Sequence, residues 1–328
     1  MDLLLLGVLG KPLWMWLAFL MFVLALLAFD LGVLHRKAHE IGMRESLLLS
    51  AFYIGLGVTF AGWIWHFIGE QAALLYLTGF VVEKSLAMDN VFVIAMIFSY
   101  FAIPRMYQHR ILVYGILGVI VLRAIMIGAG AAILSRFEWV LYLFAAFLVF
   151  TGAKMLLMAQ KEYDAAANPI LRFMRKHFRV TDKLHGERFF VREPEPDNGR
   201  SSLHVTPLLL ALVMVEIADI IFALDSIPAI FAITTDPYIV YTSNIFAILG
   251  LRALYFALAA MIYRFIYLEH ALSIVLIFIG GKIFVADMLD LVKIPPVWSL
   301  SVTFTILTAG ILVSLWRTRR ACAASQDD

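Results

Sequence analysis

Long apolar stretches, each of about 20 residues and separated by short polar segments, make up most of this chain. A helix needs about this length to cross the hydrocarbon core of a bilayer. The pattern therefore predicts an all-α polytopic membrane protein with about nine transmembrane helices. The predicted spans are residues 13–34, 46–68, 71–101, 111–134, 138–158, 203–233, 240–262, 271–290 and 297–316.

The composition excludes several classes of protein. Hydrophobic residues make up 63% and charged residues 15% of the 328 residues, far from the composition of soluble domains. The net charge is only +2, so nucleic acid is not an implied partner. The single cysteine, Cys322, follows the last span, so an internal disulfide or a cysteine-based metal or redox centre cannot form. We therefore expect neither a prosthetic group nor direct redox chemistry.

The loops between the predicted spans differ in charge from one side of the membrane to the other. Most basic loop residues fall on one side, including those near Arg36, Arg110 and Arg317. The positive-inside rule places that side in the cytoplasm, with the N-terminus outside and the C-terminus inside. The hydrophilic segment 159–202 is predicted to be a cytoplasmic linker with a basic helix on the lipid surface.

Six acidic residues lie within stretches that otherwise resemble membrane spans: Asp30, Glu83, Asp89, Glu216, Asp219 and Asp225. A charged side chain at the centre of a bilayer costs roughly 2.5–3.5 kcal/mol on insertion scales. Four of the six form a repeated pair with the same spacing, Glu83 with Asp89 and Asp219 with Asp225. Structural ion pairs are one interpretation, but the repetition favours a pathway for a cation.

The repetition extends beyond the acids and predicts an inverted repeat. The order Asp89, Arg123, Gly-x-Lys154 in spans 3–5 recurs as Asp225, Arg252, Gly-x-Lys282 in spans 6–8. Because each unit has three spans, the two units must enter the membrane in opposite orientations, which is typical of transporters. The single membrane domain, 1–328, then divides into repeats 71–158 and 203–290, the linker 159–202, and the last span and tail 291–328.

Both acid-bearing spans, 71–101 and 203–233, are longer than a bilayer requires. Polar residues interrupt the first span, and Pro228 deprives the Leu224 carbonyl in the second of its helical partner. Non-helical backbone at membrane depth is tolerated where it lines a cavity. The prediction is two broken helices at the centre of the molecule.

The polar residues of these spans predict a metal site made of oxygen ligands. The candidate ligands are Glu83, Asp89, Asn90, Glu216, Asp219, Asp225 and Ser226, with Asp30 as a secondary candidate. Oxygen ligands suit Mg²⁺, Ca²⁺ and Mn²⁺. The charge-balancing candidates are Arg123, Arg252 and Lys84, which leave an excess of two negative charges. One divalent cation or two protons would neutralise this excess.

Glu216 is the candidate for proton coupling. It shares a helical face with Asp219 and has no acidic counterpart in the first repeat, where Phe80 takes its place. Export of a dication works against an inside-negative potential, so some ion must flow downhill in exchange. Protons are the natural choice because a carboxylate binds either a proton or a metal.

Two other functions compete with cation export. An oxyanion carrier would need converging cations or helix N-termini, whereas the repeated feature here is acidic. An intramembrane aspartyl protease could use Asp89 and Asp225 as a dyad, but neither lies in a Gly-x-Gly-Asp setting. The pattern therefore predicts a transporter and not an enzyme.

Several long motifs resemble the TerC family. They are the run Glu83 to Asn90, the run Glu216 to Phe231, and the run Tyr241 to Tyr255, while His185-Gly186 and Arg188 to Val191 are similar to the Alx-type branch. The resemblance implies a manganese exporter of the bacterial inner membrane in the LysE-like transporter group. It also implies a link to alkaline pH, an older association with tellurium resistance, and exported metalloproteins or the translocation machinery as partners.

Overall fold

A computed structural model describes residues 7–29, 43–137, 139–157, 169–181, 184–194, 201–258, 268–288 and 296–324. Helices dominate these residues. They are α1 Leu13–Phe29, α2 Met43–Phe67, α3 Glu70–Tyr100, α4 Arg105–Arg136, α5 Val140–Leu157, α6 Pro169–His177, α7 Pro207–Phe231, α8 Pro237–Leu249, α9 Leu251–Leu258, α10 Leu268–Met288 and α11 Pro296–Ala324. Two short hairpins pair β1 Gly7–Val8 with β2 Lys11–Pro12, and β3 Phe190–Pro194 with β4 Ser201–Val205.

The described helices confirm an all-α polytopic membrane protein. Five are long and apolar enough to cross a membrane: Met43–Phe67, Arg105–Arg136, Val140–Leu157, Pro207–Phe231 and Pro296–Arg317. Three shorter apolar helices are Leu13–Phe29, Pro237–Leu249 and His270–Val285. Helix α3 has the length of a span but carries Glu83, Lys84 and Asp89. The total of nine spans remains a prediction.

The prediction of broken helices in both acid-bearing spans is wrong. Helix α3 runs without interruption past Glu83 and Asp89, and α7 runs through Pro228 to Phe231. Pro228 lies in the last turn of α7, where the loss of one backbone hydrogen bond affects only the helix end. A side chain can reach partners on neighbouring helices while its own backbone stays helical.

The break instead lies in the seventh predicted span, where α8 ends at Leu249 and α9 starts at Leu251. The ammonium of Lys84 on α3 donates to the Ala247 carbonyl, with a distance of 3.0 Å. A Cβ atom at Gly250 would lie 2.5 Å from the Lys84 Nζ. Thus glycine at the junction makes room for a cation that binds the carbonyl end of α8.

Helices α5 and α10 cross at two glycines. A Cβ at Gly152 would lie 2.7 Å from the Ser273 carbonyl oxygen, and one at Gly280 would lie 2.6 Å from the Ala145 carbonyl oxygen. On α5, Gly152 lies seven residues after Ala145, and on α10, Gly280 lies seven residues after Ser273. Each glycine therefore approaches the carbonyl that lies seven residues before the other glycine. This reciprocal contact is what a two-fold relation between the segments would produce, and it is consistent with the predicted repeat.

The described part of the 159–202 linker folds against the helices. Leu171 and Met174 of α6 are buried in a hydrophobic cluster with residues of α3, α4 and α7. The predicted span 203–233 starts too early, because Leu203 belongs to β4 and the helix begins at Pro207. Backbone pairing with β3 explains the difference, since β-strand pairing satisfies the polar backbone groups of residues 201–205.

Two ion pairs agree with the predicted sidedness of the loops. Lys11 in β2 of the N-terminal hairpin contacts Asp236 before α8 at 3.0 Å, and both were predicted outside. Arg110 on α4 contacts Glu187 in the linker at 2.7 Å, and both were predicted inside. The orientation of the whole chain relative to the cell remains a prediction.

Candidate cation site

A buried arginine lies where α3, α4 and α7 meet. The side chain of Arg123 on α4 is 0% exposed. Its Nη1 donates to Glu83 Oε1 on α3 at 2.9 Å and to Ser226 Oγ on α7 at 2.6 Å. A guanidinium in this position links the first helices of the two predicted repeats.

The same guanidinium binds Asp219 on α7 through two parallel hydrogen bonds. Nε donates to Oδ2 at 3.3 Å and Nη2 donates to Oδ1 at 3.2 Å. This bidentate geometry is specific to arginine and gives charge-assisted hydrogen bonds. We call Arg123, Glu83, Asp219 and Ser226 the Arg123 cluster.

The Arg123 cluster has more negative than positive charge. Two carboxylates share one guanidinium, and Glu83 is 1% exposed. Glu83 Oε2 is buried and accepts no hydrogen bond from the residues that the structure describes. A buried acceptor without a donor is costly, so this oxygen is available to a cation or a proton.

Glu216 lies one helical turn before Asp219 and packs against two glycines of α4. A Cβ at Gly118 would lie 2.5 Å from Glu216 Oε2, and one at Gly115 would lie 3.4 Å from Oε1. Both carboxylate oxygens are buried and lack a hydrogen-bond partner within the described ranges. The charge of Asp219 acts on Glu216, as their predicted shared face requires.

A cavity of about 30 Å³ adjoins the Arg123 cluster. Asn90 from α3, Gly115 from α4 and Asp219 from α7 line it, with apolar residues from the same helices and from α8 and α9. Asn90 is 5% exposed, and its Oδ1 has no hydrogen-bond partner among the residues described. Asn90 and Asp219 are thus the two polar side chains among the residues that line this mostly apolar, water-sized space.

Asp225 is not among the described residues that donate to or accept from Arg123. It is half-buried on α7, and the charge that acts on it is that of Lys154 on α5. Its role as a ligand of the shared site stays a prediction.

Lys84 also differs from its predicted role. It was expected to balance a carboxylate, but its ammonium donates to the Ala247 carbonyl. Its neighbour Glu83 faces Arg123. Adjacent residues on a helix point about 100° apart. The Lys84 side chain therefore cannot easily reach the groups that surround Glu83.

Other predicted residues lie outside what the structure describes. Asp30 falls between the described ranges, and at Asp89 on α3 and Arg252 on α9 the helical backbone is described but the side chain is not. Within the described residues, no three His, Cys, Asp or Glu side chains gather as a metal site. The predicted ligand set is therefore represented by Glu83, Asp219 and Ser226 at Arg123, with Glu216 and Asn90 beside them.

Sequence reasoning missed two residues at this centre and one buried amide on α8. Gly115 and Gly118 make the space for Glu216, and their spacing of three on one helix was a readable signal. Asn244 on α8 is 0% exposed, and both of its amide atoms lack a partner in the described part of the chain. An amide inside an otherwise apolar span could have been singled out on the same ground as the carboxylates.

Chemically, the centre can bind a cation or a proton. Its groups are carboxylate, amide and hydroxyl oxygens, which suit hard divalent ions. The Arg123 cluster, Glu216 and Asn90 include no sulfur or imidazole side chain. The Arg123 guanidinium already donates to two carboxylates and a hydroxyl.

Comparisons with known proteins place the chain in a family. It is 48% identical over 318 residues to an uncharacterized membrane protein of Myxococcus xanthus, with 97% of each chain covered. It is 47% identical over 316 residues to a protein of Salmonella typhi named Alx, a proposed membrane-bound redox modulator, covering 94% and 95% of the chains. The protein of the same name from Escherichia coli strain K12 is 46% identical over 316 residues, with the same coverage.

No solved structure matches the chain significantly. The model of one family, described as the integral membrane protein TerC family, matches residues 68–322. This range contains the Arg123 cluster, Glu216 and both predicted repeats. The chain therefore belongs to the integral membrane protein TerC family.

Proposed function

We propose that this protein is a membrane transporter that exports a divalent metal ion through the Arg123 cluster, with Mn²⁺ as the first candidate. The observation that carries the proposal is the junction of Glu83 and Asp219, from the two predicted repeats, at a buried centre beside a small cavity that Asn90 and Asp219 help to line. Ionisable groups at membrane depth mark ion pathways far more often than they serve packing.

The charge of the centre supports a dication. Glu83, Asp219 and Glu216 outnumber Arg123 by two negative charges when all are ionised. Oxygen atoms without a partner among the described residues occur on Glu83, Glu216 and Asn90. Hard divalent ions take such ligands, whereas an anion would be repelled.

Glu216 is the proposed proton carrier. It lies beside the Arg123 cluster but donates to or accepts from none of its members in the described residues. Its carboxylate can therefore change its protonation state without breaking the Arg123 hydrogen bonds. Proton entry would offset the export of positive charge against an inside-negative potential.

The choice of Mn²⁺, and the place in a bacterial inner membrane with the C-terminus in the cytoplasm, rest on the family resemblance and the loop charges. The same resemblance suggests exported metalloproteins as recipients. Mg²⁺ and Ca²⁺ have similar ligand preferences, so the metal has to be identified by transport.

Purified protein in proteoliposomes tests the proposal. We expect flux of Mn²⁺ above that of Mg²⁺, Ca²⁺ and Zn²⁺, and a response to an imposed pH gradient. Asp219→Asn should abolish flux, because it removes one of the two carboxylates at Arg123. Glu70→Gln is the matched control, since Glu70 is an exposed acid on the first turn of α3. Equal flux in the wild type and Asp219→Asn would contradict a site at Asp219.

Redox modulation is the second candidate, because it is the role in the names of two relatives. The single cysteine, Cys322, cannot cycle a disulfide within the chain. Cys322→Ser should therefore leave metal flux unchanged, while loss of a redox phenotype in that variant would favour modulation through the thiol. An oxyanion carrier is disfavoured because the Arg123 guanidinium is bound by carboxylates.

A further inference from the structure

We propose that the Arg123 guanidinium holds the place of the transported cation at Asp219, and that guanidinium and cation bind there in alternation. This inference rests on the proposed function and specifies how its site works. In the state that the structure describes, Arg123 keeps the site closed to a metal.

The first step is the occupancy of Asp219. Nε and Nη2 of Arg123 donate to separate oxygens of this carboxylate, at 3.3 and 3.2 Å. The carboxylate also lines the cavity with Asn90. A cation that reaches Asp219 from the cavity therefore meets a carboxylate with both oxygens engaged and a positive charge at hydrogen-bond distance.

The second step is the set of oxygens that surrounds this contact. Glu83 Oε2 and Asn90 Oδ1 are buried on residues that are 1% and 5% exposed, without partners among the described residues. Once Arg123 releases Asp219, the Asp219 carboxylate joins the Asn90 amide of the cavity lining and the Glu83 carboxylate at Arg123 as oxygen groups open to a cation. Such a set is hard and negatively charged, as a divalent ion requires.

The third step is how Arg123 can release Asp219. Its Nη1 serves Glu83 and Ser226, while Nε and Nη2 serve Asp219. A rotation of the guanidinium can release Asp219 while Nη1 keeps its hydrogen bond to Glu83. The buried charge of Arg123 is then never left without a carboxylate. This matters because removing the partner of a buried charge is strongly unfavourable.

Alternation gives the empty transporter a neutralised Asp219. The returning protein carries no metal ion, yet Glu83 and Asp219 retain a cationic partner inside the membrane. Arginine stays protonated at any physiological pH, so this partner is always available. The metal must therefore compete with Arg123. Its apparent affinity is its intrinsic affinity multiplied by the fraction of protein in which Asp219 is released.

Mn²⁺ binding to purified full-length protein tests the inference by isothermal titration calorimetry. If Asp219 is released in about a tenth of the wild-type molecules or fewer, Arg123→Gln should bind Mn²⁺ about tenfold more tightly or better. Arg123→Lys keeps a charge but lacks the planar fork, so its affinity should lie between the two. Both variants should transport more slowly than the wild type, because the bound ion is no longer displaced.

A chemical rescue sharpens the test. Free guanidinium, at concentrations far below those that unfold proteins, should weaken Mn²⁺ binding to Arg123→Ala by refilling the vacated position. It should leave Mn²⁺ binding to the wild type unchanged. Added Na⁺ at the same ionic strength is the control for screening.

Weaker Mn²⁺ binding in folded Arg123→Gln and Arg123→Lys would overturn the inference and make Arg123 a residue that only positions Glu83 and Asp219. If neither variant folds, Ser226→Ala decides, since it removes a single hydrogen bond to Arg123. Tighter binding in that variant supports alternation and weaker binding overturns it. Wild-type protein that neither binds nor transports Mn²⁺ would instead contradict the proposed function.

Discussion

Glu83 on α3 and Asp219 on α7 are joined by one guanidinium, although 136 positions of the chain separate them. They occupy equivalent places in the two predicted repeats, so the contact brings the two halves together at a single charged group. Arg252, the counterpart of Arg123, has a side chain outside the described residues. Among the described residues, the guanidinium of the first repeat serves carboxylates of both halves.

Asp219→Asn should lower stability as well as abolish flux. The amide cannot match two guanidinium donors, so Arg123 is left with one carboxylate. Breaking a buried ion pair by removing one partner costs about 3–5 kcal/mol. Thermal unfolding in detergent should therefore show a clear fall in Tm relative to wild type. An unchanged Tm in Asp219→Asn would show that the pair is not formed in the folded protein.

Glu216→Gln should uncouple metal flux from protons. The amide keeps the shape of the side chain in its glycine cradle but cannot bind or release a proton near neutral pH. In vesicles loaded with Mn²⁺, we expect wild-type export to rise when the outside is made acidic, because protons then flow inward. Export by Glu216→Gln should not respond. Wild-type flux that ignores the gradient would leave facilitated diffusion or another coupling ion.

Gly118→Ala should reproduce part of that effect from the neighbouring helix. The new methyl would lie 2.5 Å from a Glu216 oxygen, so the carboxylate must move. Gly128→Ala on the same helix is the control, because nothing lies within 4 Å of its Cβ. We expect a several-fold loss of pH-driven Mn²⁺ flux in Gly118→Ala alone. Equal flux in the two variants would argue against a functional role for this cradle.

The crossing of α5 and α10 should respond to alanine at Gly280. A Cβ there would lie 2.6 Å from a backbone carbonyl oxygen, which cannot rotate away. Overpacking of this kind costs about 1–3 kcal/mol. Gly281→Ala is the control, since its Cβ meets nothing within 4 Å. The measurement is Tm in detergent, and a fall of equal size in both variants would refute the tight crossing.

The predicted topology can be read by cysteine labelling in intact cells. With Cys322→Ser as background, an impermeant maleimide should modify Phe137→Cys and Thr235→Cys from outside. Both residues are exposed at turns that precede α5 and α8. In the wild type, Cys322 should react only after the membrane is permeabilised. Modification of Cys322 in intact cells would contradict the predicted nine-span topology, and with it the basis for the inverted repeat.

Several features followed from the sequence alone because they depend on local pattern. The length of the apolar runs predicted helices within a few residues of those observed, as for α2 and α5. Carboxylates inside such runs stand out by type and position, so Glu83, Asp219 and Glu216 could be singled out without coordinates. The family resemblance depends on the same motifs, and the match over residues 68–322 confirms it.

Only the tertiary structure decided which of these residues meet. Glu83 and Asp89 are both repeated acids. Of the two, only the Glu83 side chain is described, and its partner is Arg123 on α4. Lys84 and Glu83 are adjacent, but the rotation of α3 sends one to the carbonyl end of α8 and the other to Arg123. Sequence spacing specifies a residue's face on its own helix. The helix that faces it depends on packing between segments distant in the chain.

The same reason explains why the predicted helix breaks were wrong. A polar residue within an apolar run shows that a buried group needs a partner, but not whether backbone or side chain will provide it. Here Arg123 provides it for Glu83 and Asp219, so α3 and α7 stay helical. Sequence determined where charge enters the membrane. The packing of α3, α4 and α7 decided how that charge is paired, because hydrogen bonds between helices form only when three distant segments come within about 3 Å.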